Sequence, residues 1–142
     1  MTSLSFPDIN VWLALASPEH VHGRQAAAWW EEAGSTIAFT RFTQLGFLRL
    51  LTTAAAMDGK PLSMSDAWRV YNGFYRDDRV HFAPEPVEVE ERFRRRTRGA
   101  SVSPKIWADA WMLASAEASG ATLVTFDRAL AKQGAHCLLP GK

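Results

Sequence analysis

Short apolar runs alternate with longer amphipathic stretches along the whole chain. In the stretch Ser3–Trp12 a short apolar run ends at Asp8, and Val11, Trp12, Leu13 and Leu15 then recur at helical spacing from Asn10 to Ala16, until Ser17 and Pro18 break the pattern. A second helix is predicted over Glu19–Ala33, stopped by Gly34, and the apolar Thr36–Phe39 reads as the second strand. Thr40 caps a helix running to roughly Ala55, Met57–Pro61 is a turn, and Ser63 or Ser65 opens a helix to about Tyr75. Val80–Ala83 reads as an edge strand, because Pro84 and Pro86 follow at once and proline cannot donate to a central ladder. Val87–Arg98 is helical, Gly99–Ser103 a loop, and Pro104 sits at the first position of a helix that ends before Gly120. Ala121–Phe126 is the clearest strand; Asp127 leads into a short helix, Arg128–Lys132, and His136–Leu139 is the last strand. Strands separated by helices pair in parallel through crossovers, so the pattern predicts a three-layer α/β/α sandwich around a mainly parallel sheet of about five strands. Nothing reads as a repeat or linker, and a single domain over residues 1–142 is expected.

Composition narrows the function classes. Of the 142 residues, 47% are hydrophobic and 22% charged, which is globular rather than disordered. Formal net charge is only +1, so no overall basic field announces a nucleic-acid partner. Locally, Arg92, Arg94, Arg95, Arg96, Arg98 and Lys105 follow Glu85, Glu88, Glu90 and Glu91, an arrangement that also suits a solvated helix with an acidic start and a basic end. The lone Cys137 excludes an internal disulfide and a thiolate zinc site. No apolar run approaches the roughly 20 residues of a spanning helix, so a soluble, cytoplasmic chain is expected.

The candidate chemistry is carboxylate. Asp8 and Asp127 each close an apolar strand and open a helix, and in a parallel sheet both emerge at the strands' carboxyl edge, where ligands of open α/β sheets bind. Either alone is equally a helix N-cap. Asp109 lies at the margin of the arc formed by Ile106, Ala110 and Leu113, and an inward carboxylate must be paired, hydrogen-bonded or metal-bound. Lys105, one turn earlier, is the alternative partner. Converging carboxylates repel one another unless a cation neutralises them, and a hard ion such as Mg²⁺, with Mn²⁺ as substitute, fits oxygen ligands and the hydrolysis of phosphodiesters. Gln44 shares a helix face with Phe47, Leu48 and Leu51, so its amide needs partners inside the protein.

PDINVWLAL, FTQLGFLRLL, WADAWMLA and TLVTFDRAL together resemble the PIN-domain family, specifically the VapC-type toxins of bacterial toxin–antitoxin pairs, over nearly the whole chain. The resemblance implies an Mg²⁺-dependent endoribonuclease that cuts RNA, is neutralised by a cognate antitoxin and forms a homodimer. Carried over by position, Asp8, Asp109 and Asp127 match acidic metal-site positions, and Asn10 and Thr125 match polar positions bordering the site. Gln44 departs from the family, which generally has glutamate near that point, and this puts a second metal in doubt. Arg49 could contact a phosphate, or pack its stem on Phe42.

Other residues carry less. His20 and His22 are two apart on the predicted second helix and would not face each other, which speaks against a metal pair. His81 and His136 are isolated, Cys137 is expected to be buried and inert, and Trp12, Trp29, Trp30, Trp68, Trp107 and Trp111 fall on helix faces suited to core or dimer packing. An RNA-binding module without turnover is the alternative of a different class. A haloacid-dehalogenase-type phosphatase would need an aspartate where Asn10 stands.

Overall fold

A computed structural model describes residues 3–140. Five strands, β1 (Leu4–Pro7), β2 (Thr36–Phe39), β3 (Val80–Phe82), β4 (Thr122–Thr125) and β5 (His136–Cys137), form one sheet in the order β3-β2-β1-β4-β5. Every pairing is parallel. The helices are α1 (Ile9–Ala16), α2 (Gly23–Glu32), α3 (Arg41–Leu51), α4 (Met64–Phe74), α5 (Val89–Thr97), α6 (Pro104–Ser119) and the single turn α7 (Arg128–Ala131). β3 lies at an edge, as the prolines after it require.

The two-residue period of the strands sorts their side chains between two cores. Ile37 and Phe39 of β2 join Trp12, Phe47, Leu51 and Tyr71 from α1, α3 and α4 on one side. Ala38, on the same strand, joins Phe6, Leu123 and the α6 residues Met112, Leu113 and Ala116 on the other. Trp12 and Phe39 stack with centroids 3.7 Å apart and are fully buried; each such aromatic contributes roughly 1.5–3 kcal/mol through burial. Helices on both faces of a parallel sheet make the expected three layers.

Most boundaries fall within two residues of the pattern, and three elements differ by more at an end or in share of their length. The predicted Glu19–Ala33 helix begins only at Gly23, because Pro18 is followed by turn bonds from His20 N–H to Ser17 O and from Gly23 N–H to His20 O. His20 and His22 therefore sit in a turn and not on a helix. The α3 helix stops at Leu51 rather than near Ala55, since the Thr52 and Thr53 hydroxyls donate to the Leu48 and Arg49 carbonyls and divert the chain into a 3-10 turn at Ala54–Met57. The last strand is only His136–Cys137, shorter than the predicted His136–Leu139.

Arg79, just before β3, fastens that edge to α2. Its guanidinium donates to the Trp30 and Ala33 carbonyls at 2.7 and 2.6 Å, lies over the Trp30 ring, and pairs with Asp77. Hydrogen bonds to the Arg79 side chain hold the Asp77 carboxyl down at about 2, below its ordinary 3.8. Asp77 thus contributes stability that is complete above pH 3.8 and is lost as pH falls through about 2. Replacing Arg79 by Met is expected to cost about 1.5–3 kcal/mol in urea unfolding at pH 7, with a smaller penalty at pH 2, where Asp77 is already giving up its charge.

Candidate active site

The strand order places a switch point at β1 and β4: from β1 the chain moves outward through β2 to β3 on one side, and β4 and β5 occupy the other. Open sheets bind ligands outside the carboxyl ends of such strands. Register then fixes the neighbours. Pro7 pairs with Val124, and Asp8 N–H continues the ladder to Val124 O at 2.8 Å, so Asp8, just past β1, and Thr125, the last residue of β4, stand side by side.

Asp8 caps α1 by accepting from the Ile9 N–H at 2.6 Å through Oδ1, and its Oδ2 accepts from the Thr125 hydroxyl at 2.9 Å. Thr125 is fully buried, and its Oγ1 also accepts from the Asp127 N–H at 3.1 Å. One hydroxyl thereby links the two strand-end aspartates. Asp127 caps α7 with Oδ1 accepting from the Ala129 N–H at 2.9 Å. Both aspartates are N-caps, as their sequence context allowed, but each cap occupies only one carboxylate oxygen; the other accepts from Thr125 in Asp8 and from Lys105 in Asp127. Asp109 projects into the same cleft from α6.

Charge is unevenly distributed among the three. Burial raises the Asp8 pKa above its ordinary value, and repulsion from Asp109 and Asp127 adds to the rise, against the hydrogen bonds from Thr125 and Ile9. Asp109 is also raised, first by burial and further by Asp127. Asp127 is lowered, chiefly by its hydrogen bond from Lys105. The Lys105 ammonium lies 2.9 Å from Asp127 Oδ2 and 3.8 Å from Asp109 Oδ2, so a cation already stands between two of these carboxylates. Lys105 is thus both the partner expected for Asp109 and a bridge to Asp127.

The cleft has a volume of about 500 Å³ and is widely open. Asp8, Asn10, Asp109, Thr125 and Asp127 line it together. Gln44 does not: it is buried on α3, where its Oε1 accepts from Arg41. Arg49 lies exposed on the last turn of α3 and does not line the cleft either. The basic run on α5 is largely committed elsewhere. Arg92 and Arg96 pair with Glu117, Arg94 with Glu90 and Arg95 with Glu91, so most of that run is the ion-paired face of a solvated helix.

His20, His22 and Phe126, by contrast, do line the cleft, and the sequence pattern had put the histidines on a helix. Pro18 and Gly23, five residues apart around them, were the available sign of a loop.

Among the described residues, no three His, Cys, Asp or Glu side chains stand as a group that could hold a metal ion between them, the three aspartates included. The donor chemistry fits an open site instead. Carboxylate oxygens lining an open cleft, two of them drawing a lysine ammonium between them, suit a hard divalent ion that retains several waters.

The PIN domain family profile matches residues 5–135. Ribonuclease VapC41 of Mycobacterium tuberculosis is 41% identical over 133 residues, covering 89% of this chain and 91% of that protein. Among solved structures, the fold is similar to VapC20 of Mycobacterium tuberculosis, a sarcin-ricin loop cleaving toxin, with a TM-score of 0.63, 15% identity, and coverage of 92% of this chain and 95% of that one. It is also similar to VapBC2 of Rickettsia felis bound to a DNA fragment from its promoter, with a TM-score of 0.61, 15% identity, and coverage of 91% and 92%.

Proposed function

The chain belongs to the PIN-domain family, and from that premise we propose that it is a metal-dependent endoribonuclease toxin, hydrolysing RNA phosphodiesters and held in check by a cognate antitoxin. The observation that carries this reading is the gathering of Asp8, Asp109 and Asp127 at the sheet's switch point, with Thr125 and Lys105 holding them. The three aspartates would hold Mg²⁺, with Mn²⁺ as substitute; bound there, the ion would supply an activated water and neutralise charge on the phosphoryl oxygen.

The protein's own groups set the stage for that chemistry. Thr125 fixes the rotamer of Asp8 and favours its ionised form by donating to it. Lys105 offsets the repulsion between Asp109 and Asp127, and its stem, largely exposed, lets the ammonium withdraw when another cation enters. Asn10, exposed on the first turn of α1, presents an amide to the cleft that can donate to a phosphate oxygen or a ribose hydroxyl. Leu45 on α3 and Met64 and Trp68 on α4 are exposed apolar side chains, which supports docking of a protein partner on these N-terminal helices. A homodimer acting in the cytoplasm, each chain a single nuclease unit over residues 1–142, completes the proposal. Among the described residues no helix is long and apolar enough to cross a membrane.

Incubation of the purified chain with total small RNA tests the reading. Discrete fragments are expected with Mg²⁺ or Mn²⁺ and none with chelator. A folded, antitoxin-free protein that binds RNA and cleaves it under neither metal would overturn catalysis and favour the RNA-binding module, with Gln44→Glu as the next variant to assay.

A further inference from the structure

We propose that His20, His22 and Phe126 form a ledge on which an unpaired nucleobase of the RNA stacks while a phosphate of the same strand lies against the aspartates. The inference rests on the ribonuclease reading above and adds a base-binding subsite to it.

The three rings come from distant parts of the chain and meet at one edge of the carboxylate cleft. His22 lies 4.7 Å from Phe126 between centroids, and His20 lies 6.0 Å from it with an interplanar angle of 22°. Phe126 is placed by its neighbours, since it falls between Thr125, which bonds Asp8, and Asp127. A ring in that position cannot be more than a nucleotide's reach from the carboxylates. All three residues are only half-buried, unlike the core aromatics Trp12, Phe39 and Phe47, so beyond their contacts with one another part of the cluster is open to the cleft.

The turn that carries the histidines is held rather than loose. His22 N–H donates to His20 Nδ1 at 3.0 Å, and Gly23 N–H donates to His20 O at 2.9 Å. Gly23 lies so close to Pro18 that an added Cβ would stand 3.0 Å from the Pro18 carbonyl oxygen. The bond to Nδ1 places the ring proton of neutral His20 on Nε2. Burial, followed by the neighbouring His22, pushes the His20 pKa down, which favours that neutral ring. Neutral imidazole beside phenyl offers π-faces and a hydrogen-bond donor, the equipment with which proteins hold splayed-out RNA bases.

The rest of the cleft gives this ledge a reason to exist. Its charged lining, three aspartates against Lys105 alone, repels a polyanion, and four of the arginines on α5 are tied to glutamates. Stacking is a source of affinity that negative charge does not cancel. It also selects single-stranded RNA, because a base held in a duplex has no free face to offer.

The test uses the full chain and short labelled RNA oligonucleotides, single-stranded and duplex, with cleavage kinetics in Mn²⁺ and binding measured in an Asp8→Asn background. His22→Ala and Phe126→Ala are each expected to raise KM and Kd for the single strand by about tenfold, with a far smaller change in kcat. His22→Phe should restore both constants, because it keeps the stacking face and removes only the titratable nitrogens. Unchanged KM and Kd in folded His22→Ala would overturn the ledge, and so would a kcat loss that His22→Phe fails to rescue. If Phe126→Ala does not fold, His22→Ala and its rescue decide alone. Cleavage by the parent chain with unaffected His22 variants removes only the ledge, whereas a parent that neither binds nor cuts RNA removes the ribonuclease reading with it.

Discussion

Asp8→Asn is expected to lower metal-dependent RNA cleavage by on the order of 10³-fold or more, and at the same time to raise the melting temperature of the metal-free protein. The two effects share one cause. Asp8 is the most deeply buried of the three aspartates, and burial together with repulsion from Asp109 and Asp127 raises its pKa above the 3.8 of the unfolded chain. Between those two values the folded state holds a proton that the unfolded state has released, so this group's contribution to stability falls as pH rises through the folded pKa. Once it ionises, the metal-free protein holds a buried charge that only the Thr125 and Ile9 hydrogen bonds and the distant Lys105 offset. Asparagine keeps an acceptor for the Ile9 N–H and can hydrogen-bond the Thr125 hydroxyl, but carries no charge. Calorimetry with and without Mn²⁺ separates the contributions. Metal should raise the melting temperature of the parent and leave Asp8→Asn nearly unmoved. A variant that melts lower than the metal-free parent would show that the Asp8 charge is already balanced by something other than a divalent ion.

How much of this was legible in the sequence depends on whether the information is local. The strands showed as apolar runs, Thr36–Phe39 to the residue, because the pattern of burial is written into each run. Asp8 and Asp127 were visible as strand-ending caps for the same reason. Their emergence at one edge of a parallel sheet was expected as well, but how near they come was not. It follows from the pairing of Pro7 with Val124, a register between residues more than 100 positions apart that no local pattern records. Lys105 was readable as a neighbour of Asp109 one turn away on α6, but its bond to Asp127 depends on how α6 lies across β4. Gln44 was correctly read as buried, yet burial alone does not say which way an amide turns, and Arg41 on its own helix takes it. His20 and His22 were hidden by a periodicity that continued past Pro18 into a turn, where backbone bonds to Ser17 and His20 outweigh helical spacing. The arginine run showed the reverse: its acidic-then-basic order was enough to read a solvated helix, and the structure adds that Arg94 and Arg95 pair with Glu90 and Glu91 one turn earlier.

Thr125→Val should have the second-largest effect, because a single hydroxyl serves both strand-end aspartates. Valine matches threonine in shape, so the core around this fully buried position keeps its packing while the donor to Asp8 Oδ2 and the acceptor for Asp127 N–H both disappear. Leaving those groups unsatisfied is expected to cost about 1–3 kcal/mol of stability in urea unfolding. Activity should fall by about 10- to 100-fold, the usual loss when a residue that orients a metal-binding carboxylate is removed. The direction of the pH effect follows from the bond's polarity. The hydroxyl donates to the ionised form of Asp8 and so lowers a pKa that burial raises; without it the carboxylate keeps its proton to higher pH. Metal binding requires that proton to leave, so the acid limb of the cleavage profile should move toward higher pH in Thr125→Val, and higher metal concentration should partly compensate. Thr125→Ser, which restores the hydroxyl without the methyl, should return the acid limb to the parent's position even where stability stays lower. An acid limb that stays in place in Thr125→Val, with activity lost all the same, would mean that the hydroxyl acts by fixing the turn at Asp127 and not by setting the charge of Asp8.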